Sequence, residues 1–282
     1  MADAITGNTQ LSATKNDLII PFVQKELAFN AKLMPYSTDF SAYVGKGMKS
    51  IKVPKLTSFS VVDRASGAAG DATVLTSSTD TINLDYAAYI AWIVDSQDEI
   101  QSSIEVQLEN VKRAAAAHGR YFDEQLLVKL FAATGYAQTG AITAAKILNM
   151  RQYLLKNDAL REELVLAVAV DQEGVMLQID GFTRADMYGS SNIPSGVIGQ
   201  VYGVPVVVHN GLADGEALMW AKSGIGHAFQ LQPNMSEQGA NEYGSTAKRV
   251  ALDQLFGIGA LQVGLKGEIS PASPMITSLT AT

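Results

Sequence analysis

The sequence predicts an α+β fold, and three observations support this prediction. Residues 102–131 have the pattern of one amphipathic helix, much longer than the usual helix of about 11–12 residues. Residues 48–94 have the pattern of two strands joined by a long connection of small and polar residues. Residues 164–170 are all apolar, which is typical of a strand at the centre of a sheet.

The predicted long helix has a start signal, an apolar stripe and a stop signal. Ser102 precedes Glu105 by three residues, as in a capping box, and Gly135 follows the last apolar position as a stop. At about 1.5 Å per residue the helix would be roughly 45 Å long, with one side packed on protein and the other facing solvent or a neighbouring subunit. The stripe at helical spacing comprises Ile104, Leu108, Val111, Ala115, Phe122, Leu126 and Leu130.

The segment before this helix predicts a long projecting hairpin. One strand is expected at 48–56, on a sheet edge because Pro54 has no amide hydrogen. A second strand is expected at 81–94. The connection between the two strands would be residues 57–80, and connections longer than about 12–15 residues are uncommon in a compact domain. Because an isolated hairpin is only marginally stable in water, we expect this one to lie on another subunit. The residues that alternate on one face of the second strand are Ile82, Leu84, Tyr86, Ala88, Ile90, Trp92 and Val94.

The second half of the chain predicts further strands with two helices between them. A helix is expected at 143–157, and Asp171 is expected to be the N-cap of a second helix that follows the apolar strand. Residues 198–210 predict a strand, a tight turn and a buried strand. The other expected elements are strands at 218–222, 228–231, 246–254 and 255–265, with a loop at 238–244.

The composition excludes several classes of protein. The chain has 282 residues, 47% of them hydrophobic, which suits a globular protein with a sizeable core. The absence of cysteine excludes disulfide scaffolds and thiolate metal sites. The net charge is −7 and there is no basic run, so we expect no binding of nucleic acid through phosphate neutralisation. The longest apolar run is too short to span a bilayer, so we expect no membrane partner.

No sequence pattern predicts an active site. The histidines His118, His209 and His227 are scattered, and none lies in an HExxH motif. Residues 257–259 lack the third glycine of a dinucleotide-binding loop, and GxxxxGK[ST] and GxSxG motifs are absent. We therefore expect no catalytic residue, cofactor or metal. An acid/base pair of carboxylates that are distant in sequence and brought together by folding stays an open alternative. The protein would then be an α+β enzyme that uses the hairpin as a lid over its substrate.

The order of these elements resembles that of a known family. The segments that carry the resemblance are residues 82–105 (INLDYAAYIAWIVDSQDEIQSSIE), 164–177 (LVLAVAVDQEGVML) and 198–210 (IGQVYGVPVVVHN). The opening segment, residues 18–35, is similar to the N-terminal arm of the same family. This family comprises the major capsid proteins of tailed double-stranded DNA bacteriophages, which have the Hong Kong 97-type fold.

The resemblance implies a structural protein that assembles with copies of itself. It implies that hexamers and pentamers of the protein form the icosahedral head, which encloses double-stranded DNA without sequence-specific binding. It further implies that the protein assembles in the host cytoplasm and is located in the virion capsid. It also implies a separate scaffolding protein, a portal and a possible decoration protein. Some relatives form a Lys–Asn isopeptide bond from the extended loop, but residues 57–80 contain no lysine, so we do not expect that bond. The implied parts are an N-terminal arm (1–45), an extended loop (46–92), a peripheral domain (93–139 and 227–282) with the spine helix (102–131), and an axial domain (140–226).

Contacts between subunits are expected from the arm, the hairpin tip and the long helix. An alternative with the same fold is an encapsulin-like nanocompartment, whose shell holds protein instead of DNA. The candidate contact residues are Phe59, Val61, Val62, Arg64, Val74, Leu75, Phe22, Phe29, Glu109 and Arg113.

Overall fold

The computed structural model describes residues 31–56, 77–94, 104–179, 182–184, 197–239, 248–261 and 265–270. The expected capping residue Ser102, most of the arm and the hairpin tip lie outside these residues. The described α-helices are α1 (Ile104–Ala132), α2 (Ala144–Lys156) and α3 (Glu173–Leu177). The described strands are β1 (Thr38–Asp39), β2 (Ser50–Leu56), β3 (Ser77–Asn83), β4 (Tyr86–Val94), β5 (Tyr136–Thr139), β6 (Leu164–Val168), β7 (Phe182–Arg184), β8 (Val197–Val201), β9 (Val204–Val208), β10 (Ala217–Ala221), β11 (Ile225–Gly239), β12 (Lys248–Ala260) and β13 (Lys266–Ser270).

The long helix α1 packs along one face of a four-stranded sheet. The strand order is β1-β11-β12-β4, and β12 pairs antiparallel with both β11 and β4. The predicted helix is confirmed, and the members of its apolar stripe with described side chains are buried, as for Phe122 and Leu126. On the sheet, Phe256 and Ile258 belong to the same core cluster as these two residues.

The alternating segment 81–94 is two strands and not the single strand predicted. β3 and β4 lie in different sheets, because β3 pairs with β2 whereas β4 pairs with β12. At the break the backbone crosses β12 so closely that a Cβ on Gly257 would lie 2.2 Å from the carbonyl oxygen of Asn83. The predicted alternation nevertheless continues across the break, with Ile82 and Leu84 buried. β3 also begins at Ser77, so the connection from β2 is shorter than expected.

A seven-stranded sheet lies on the other side of α1. Its order is β5-β13-β10-β6-β9-β8-β7, so the apolar strand β6 is central, as predicted. All five residues of β6 are buried, and they contribute alternately to two cores. Leu166 packs in the core covered by Met150 and Leu154 of α2, whereas Val165 packs in the core that contains Phe122 of α1. The sheet is therefore covered by a helix on each face.

Two other local predictions for this sheet are confirmed: the helix expected at 143–157 is α2, and the tight turn expected within 198–210 joins β8 to β9. Thr143 is the N-cap of α2, and its side chain accepts a hydrogen bond from the backbone amide of Lys146. β8 and β9 are joined by a two-residue turn at Tyr202 and Gly203, both with positive φ. That geometry is typical of a turn that follows the twist of a hairpin.

The predicted role of Asp171 is wrong. Residues 170–172 form a 3-10 turn, and α3 begins at Glu173 without a side-chain cap. Both carboxylate oxygens of Asp171 instead accept hydrogen bonds from the backbone amide of Gly215, at 3.0 and 3.2 Å. Asp171 therefore ties the end of β6 to the turn before β10, a partner 44 residues away in the chain.

The strands near the C-terminus also differ from the prediction. The expected break between Gln254 and Leu255 does not exist, because both residues pair with β4 within one continuous strand, β12. β11 extends to Gly239, so Gln238 lies in a strand and not in the predicted loop. The edge strand β5 and its neighbour β13 were not predicted; both are short, and they pair in parallel.

Candidate functional site

In the described part of the chain, the hairpin β2–β3 packs on the body of the subunit at its base. The two strands pair from Ser50–Asn83 outwards to Leu56–Ser77. At the base, Ile51 and Ile82 pack in a small core with Leu84, Ala228 and Leu261. Farther out, Pro54 and the segment 77–79 are exposed, and Lys55 forms an ion pair with Asp80. In the described part of the hairpin, apolar packing on the body of the subunit therefore ends near Val53, which is only partly buried against this core.

The face of the four-stranded sheet opposite α1 carries exposed apolar side chains. Tyr89 and Ile93 of β4 are 53% and 46% exposed, and Leu231 of β11 is 40% exposed. Arg249 of β12 donates a hydrogen bond to the Tyr89 hydroxyl, and its guanidinium lies 5.8 Å from the centre of the Tyr89 ring. Tyrosine and arginine often dominate the energy of protein interfaces. We call these four residues the outer sheet patch.

Sequence reasoning missed the outer sheet patch, although a signal was present. The alternation in residues 81–94 assigned one face of β4 to the core and left Tyr89 and Ile93 on the other. Large apolar residues on the face expected to be polar are a sign of a second packing surface. A second exposed apolar group, Val170, Val175 and Leu177, lies at the end of β6 and on α3.

Two of the predicted contact residues, Glu109 and Arg113, lie on the exposed face of α1. The Nε atom of Arg113 is 3.3 Å from Oε1 of Glu109, one helical turn away, and both side chains are largely exposed. The other eight predicted contact residues lie outside the described part of the chain. The structure therefore describes only this pair of the predicted set, as an ion pair within one chain.

A buried Asp–His pair holds residues 32 and 33 onto α1. Asp123 of α1 accepts hydrogen bonds from the backbone amides of Lys32 and Leu33, at 2.9 and 3.2 Å. Nδ1 of His209 accepts from the amide of Gly211 at 3.0 Å, so Nε2 carries the proton and donates to Asp123 at 3.1 Å. Burial raises the pKa of Asp123, and the bonds from His209, Leu33 and Lys32 oppose that effect.

A second buried histidine fastens the following residues of the same segment to β11. The Ser37 hydroxyl donates to the carbonyl of Met34 at 2.8 Å, so Nδ1 of His227 must donate to Ser37 Oγ, also at 2.8 Å. Burial lowers the pKa of His227; the nearby charge of Asp39 raises it, and that of Lys222 lowers it further. The protein thus uses two histidines to connect its N-terminal segment with distant elements.

The ring nitrogens of His209 and His227 bond to groups that hold the fold together, whereas a catalytic histidine would face a nucleophile or a substrate. In a Ser–His–Asp triad the second ring nitrogen faces a nucleophile, but that nitrogen of His209 accepts from the amide of Gly211. Among the described residues, no three His, Asp or Glu side chains are grouped so that they could hold a metal ion. Nor does any helix in the described ranges have the length and apolarity needed to cross a membrane.

Comparison with known proteins identifies a family. The family model described as phage capsid protein matches residues 31–257 of the 282 in the chain. A search of curated proteins gives no significant match.

Several solved capsid structures share the fold at low sequence identity. A chain of Mycobacterium phage Che8 is similar with a TM-score of 0.64 and 18% identity, over 84% of this chain and 90% of that one. A chain of the mature capsid of bacteriophage PhiM1 has a TM-score of 0.63 and 15% identity, over 84% and 86% of the two chains. A virus-like particle from Pyrococcus furiosus has a TM-score of 0.61 and 8% identity, over 91% and 99%. Because the family model covers most of the sequence and these folds cover most of the chain, the protein belongs to the phage capsid protein family and has the Hong Kong 97-type capsid fold.

Proposed function

We propose that this protein is the major capsid protein of a tailed double-stranded DNA phage and that it forms the hexamers and pentamers of an icosahedral head. The hairpin β2–β3 is the observation that carries the proposal. Its base is packed through Ile51, Ile82 and Leu84, whereas the described residues farther out are exposed or, like Lys55 and Asp80, form a half-buried ion pair. A single ion pair that solvent still reaches contributes only about 1 kcal/mol, so the outer part needs a second surface to hold it.

A neighbouring copy of the chain supplies that surface in our proposal. The hairpin tip, residues 57–76, includes the apolar side chains Phe59, Val61, Val62, Val74 and Leu75. The outer sheet patch offers exposed apolar and aromatic groups on every subunit. Each such contact is modest, but in a closed shell a subunit must break all of its contacts at once to leave.

The parts expected from the resemblance remain our proposed division of the chain. The arm is 1–45, the extended loop 46–92, the axial domain 140–226, and the peripheral domain 93–139 with 227–282. The seven-stranded sheet supports the axial assignment, since five of its strands, β6 to β10, fall within 140–226. β13, from the last segment, pairs with β10 and so connects the two domains.

We also propose the partners that such a head requires. The net charge of −7 and the absence of a basic run suit a wall that encloses DNA without gripping it. A scaffolding protein would guide assembly in the host cytoplasm and a portal would occupy one vertex; a decoration protein on the outside is an optional partner. In the arm, Phe22 and Phe29 would contact neighbouring subunits, as would Arg64 in the hairpin tip and the exposed Glu109–Arg113 pair of α1.

Shortening the hairpin tests this proposal. Replacing residues 57–76 by Asn-Gly would join β2 to β3 through a tight turn and preserve the packed base. We expect the variant to have the circular dichroism spectrum and thermal transition of the unassembled wild-type subunit but to form no closed particles under negative-stain microscopy. Gly174→Ala is the matched control, because a Cβ there meets no atom within 4 Å. Closed shells of normal size from the shortened chain would refute the role of the hairpin.

A nanocompartment shell is the second candidate function. It is favoured by the similarity to the virus-like particle from Pyrococcus furiosus, which extends over 91% of this chain. The match to the phage capsid family favours the phage head instead. Purified native particles distinguish the two, because nuclease-resistant double-stranded DNA inside indicates a phage head and an enclosed protein indicates a nanocompartment.

A further inference from the structure

The apolar contact between α1 and the four-stranded sheet is divided into two clusters. One contains Phe122 of α1 and Phe256 of β12 and continues into the main core. The other is smaller, and it joins Val111, Ala114 and Ala115 of α1 to Leu252 of β12 and Met235 of β11. Along α1, the change from the smaller cluster to the larger lies between Ala115 and Phe122, and along β12 it lies between Leu252 and Phe256.

Two polar residues lie at the boundary between the clusters. His118 follows Ala115 by three positions and precedes Phe122 by four, so it lies on the same face of α1. Gln254 lies between Leu252 and Phe256 on the same face of β12. On α1, the residues before and after His118 on this face pack against β12, and on β12 the residues on either side of Gln254 pack against α1. The register therefore places His118 opposite Gln254. Their exposed fractions are only 1% and 2%.

Among the described residues, neither side chain has a hydrogen-bonding partner of good geometry. Both ring nitrogens of His118 and both polar atoms of the Gln254 amide are buried without one. The carbonyl of Leu252 and the carboxylate of Asp253 are near enough to His118 to affect its charge, but no ring nitrogen forms a hydrogen bond of good geometry. Buried polar groups are nearly always paired, with protein or with ordered water, and a buried water commonly makes two to four such bonds.

The backbone of the sheet is irregular at the same level. Asn234 of β11 pairs with Asp253 and Leu231 pairs with Leu255, so residues 232 and 233 both face Gln254. Such a bulge adds a residue to one strand, bends it and interrupts the ladder of hydrogen bonds. The polar pair, the bulge and the boundary between the two clusters therefore coincide.

We propose that His118 and Gln254 bind a buried water molecule between α1 and β12, and that this hydrated joint divides the subunit into two units that open separately. The distal unit comprises residues 109–117 of α1 with the adjoining ends of β4, β11 and β12. Two of the five buried residues in its core are alanines, so it has less apolar contact to hold it closed. The inference concerns a single subunit and does not depend on the proposed function.

Hydrogen exchange of the unassembled subunit, read by mass spectrometry, tests the joint. In the wild type we expect peptides from 109–117 to exchange at least tenfold faster than peptides from 119–131. The double variant H118L/Q254L joins the two clusters with apolar side chains, so exchange in 109–117 should slow at least tenfold. Fraying at the start of the helix raises the exchange rate of 109–117 in the wild type and in the double variant alike. The test is therefore the difference between their two exchange rates. Uniform protection along α1 in the wild type, or no slowing in the double variant, would overturn the proposal.

Two further measurements apply if the double variant does not fold. His118→Gln keeps a polar group at the joint and should retain the contrast in exchange between the two halves of α1. A high-resolution cryo-electron microscopy map of the wild-type protein should have solvent density within hydrogen-bonding distance of both side chains. Direct contact between the His118 ring and the Gln254 amide, with no solvent between them, would overturn the proposal.

Discussion

The ammonium group of Lys266 donates a hydrogen bond to the carbonyl oxygen of Phe131 at 2.8 Å, at the C-terminal end of α1. It also donates to the carbonyl of Ala133 at 3.1 Å and forms an ion pair with Glu268 at 2.7 Å. Lys266 belongs to β13 of the seven-stranded sheet and is 5% exposed. Carbonyl groups at the end of a helix lack partners within the helix and favour a positive charge. One buried lysine thus fastens the end of α1 to the second sheet.

Replacing this lysine tests its role. Lys266→Met keeps most of the apolar stem but leaves two part-buried carbonyls and Glu268 without this partner. We expect the free energy of unfolding to fall by about 1–3 kcal/mol, measured by urea denaturation. Lys146→Met is the control, because Lys146 also donates to two carbonyls but in an exposed position, and it should cost less. Equal losses in the two variants would mean that burial of the lysine does not matter.

Asp123 is expected to hold the N-terminal segment onto α1. Asp123→Asn replaces one acceptor oxygen by a donor, which faces either both His209 and the amide of Lys32 or the amide of Leu33, so at least one hydrogen bond is lost. We expect a loss of about 1.5–3 kcal/mol in unfolding free energy and faster trypsin cleavage after Lys32. Glu124→Gln, an exposed change at the next position, should leave both measurements unchanged. A variant that resists trypsin as well as the wild type would contradict this anchoring role.

Stability should decrease as the pH is lowered through the range where histidine titrates. Burial lowers the pKa of both His118 and His227, so below the ordinary value of about 6.5 the unfolded chain binds more protons than the folded one. The contribution of these histidines is complete above that value and is lost as the pH falls toward their folded pKa. Unfolding free energies measured by urea denaturation across this range should fall accordingly.

A histidine variant supplies the control for this pH dependence. His227→Gln removes one of the two groups, so the slope of unfolding free energy against pH should be smaller than in the wild type. An unchanged slope would show that His227 does not contribute to the acid sensitivity.

Gly257 should be necessary for the crossing of the hairpin base over β12. In Gly257→Ala the new methyl group would meet the backbone of Asn83 and Leu84, which cannot move aside as a flexible side chain can. We expect a loss of about 1–3 kcal/mol in unfolding free energy, and fewer closed particles because the hairpin is displaced. Gly174→Ala, in open space, should be as stable as the wild type and assemble normally. Full stability of Gly257→Ala would refute the close crossing.

Elements with a strong local pattern could be predicted from the sequence. α1 and α2 have apolar residues at helical spacing, and β6 is a short apolar run, so each element carries its own signal. The turn at Tyr202 and Gly203 is equally local. The outcome at these positions agrees with the prediction because the deciding interactions lie within a few residues.

Features that depend on distant residues could not be predicted. The break between β3 and β4 is explained by Gly257, far along the chain, and the role of Asp171 depends on Gly215. The boundary within β12 was misplaced because a polar residue, Gln254, looks like an interruption until the strand is paired on both sides. Of the predicted contact residues, the structure describes only Glu109 and Arg113, so the others stay predictions.

The sequence by itself determined the order of the elements, the length of α1 and the face of β4 that enters the core, since periodicity along the chain defines all three. Only the tertiary structure decided which surfaces stay exposed, such as the outer sheet patch around Tyr89, and which polar groups become buried, such as Lys266 and His118. The physical reason is that burial depends on how segments distant in sequence pack together, and the pattern of any single segment does not contain that information.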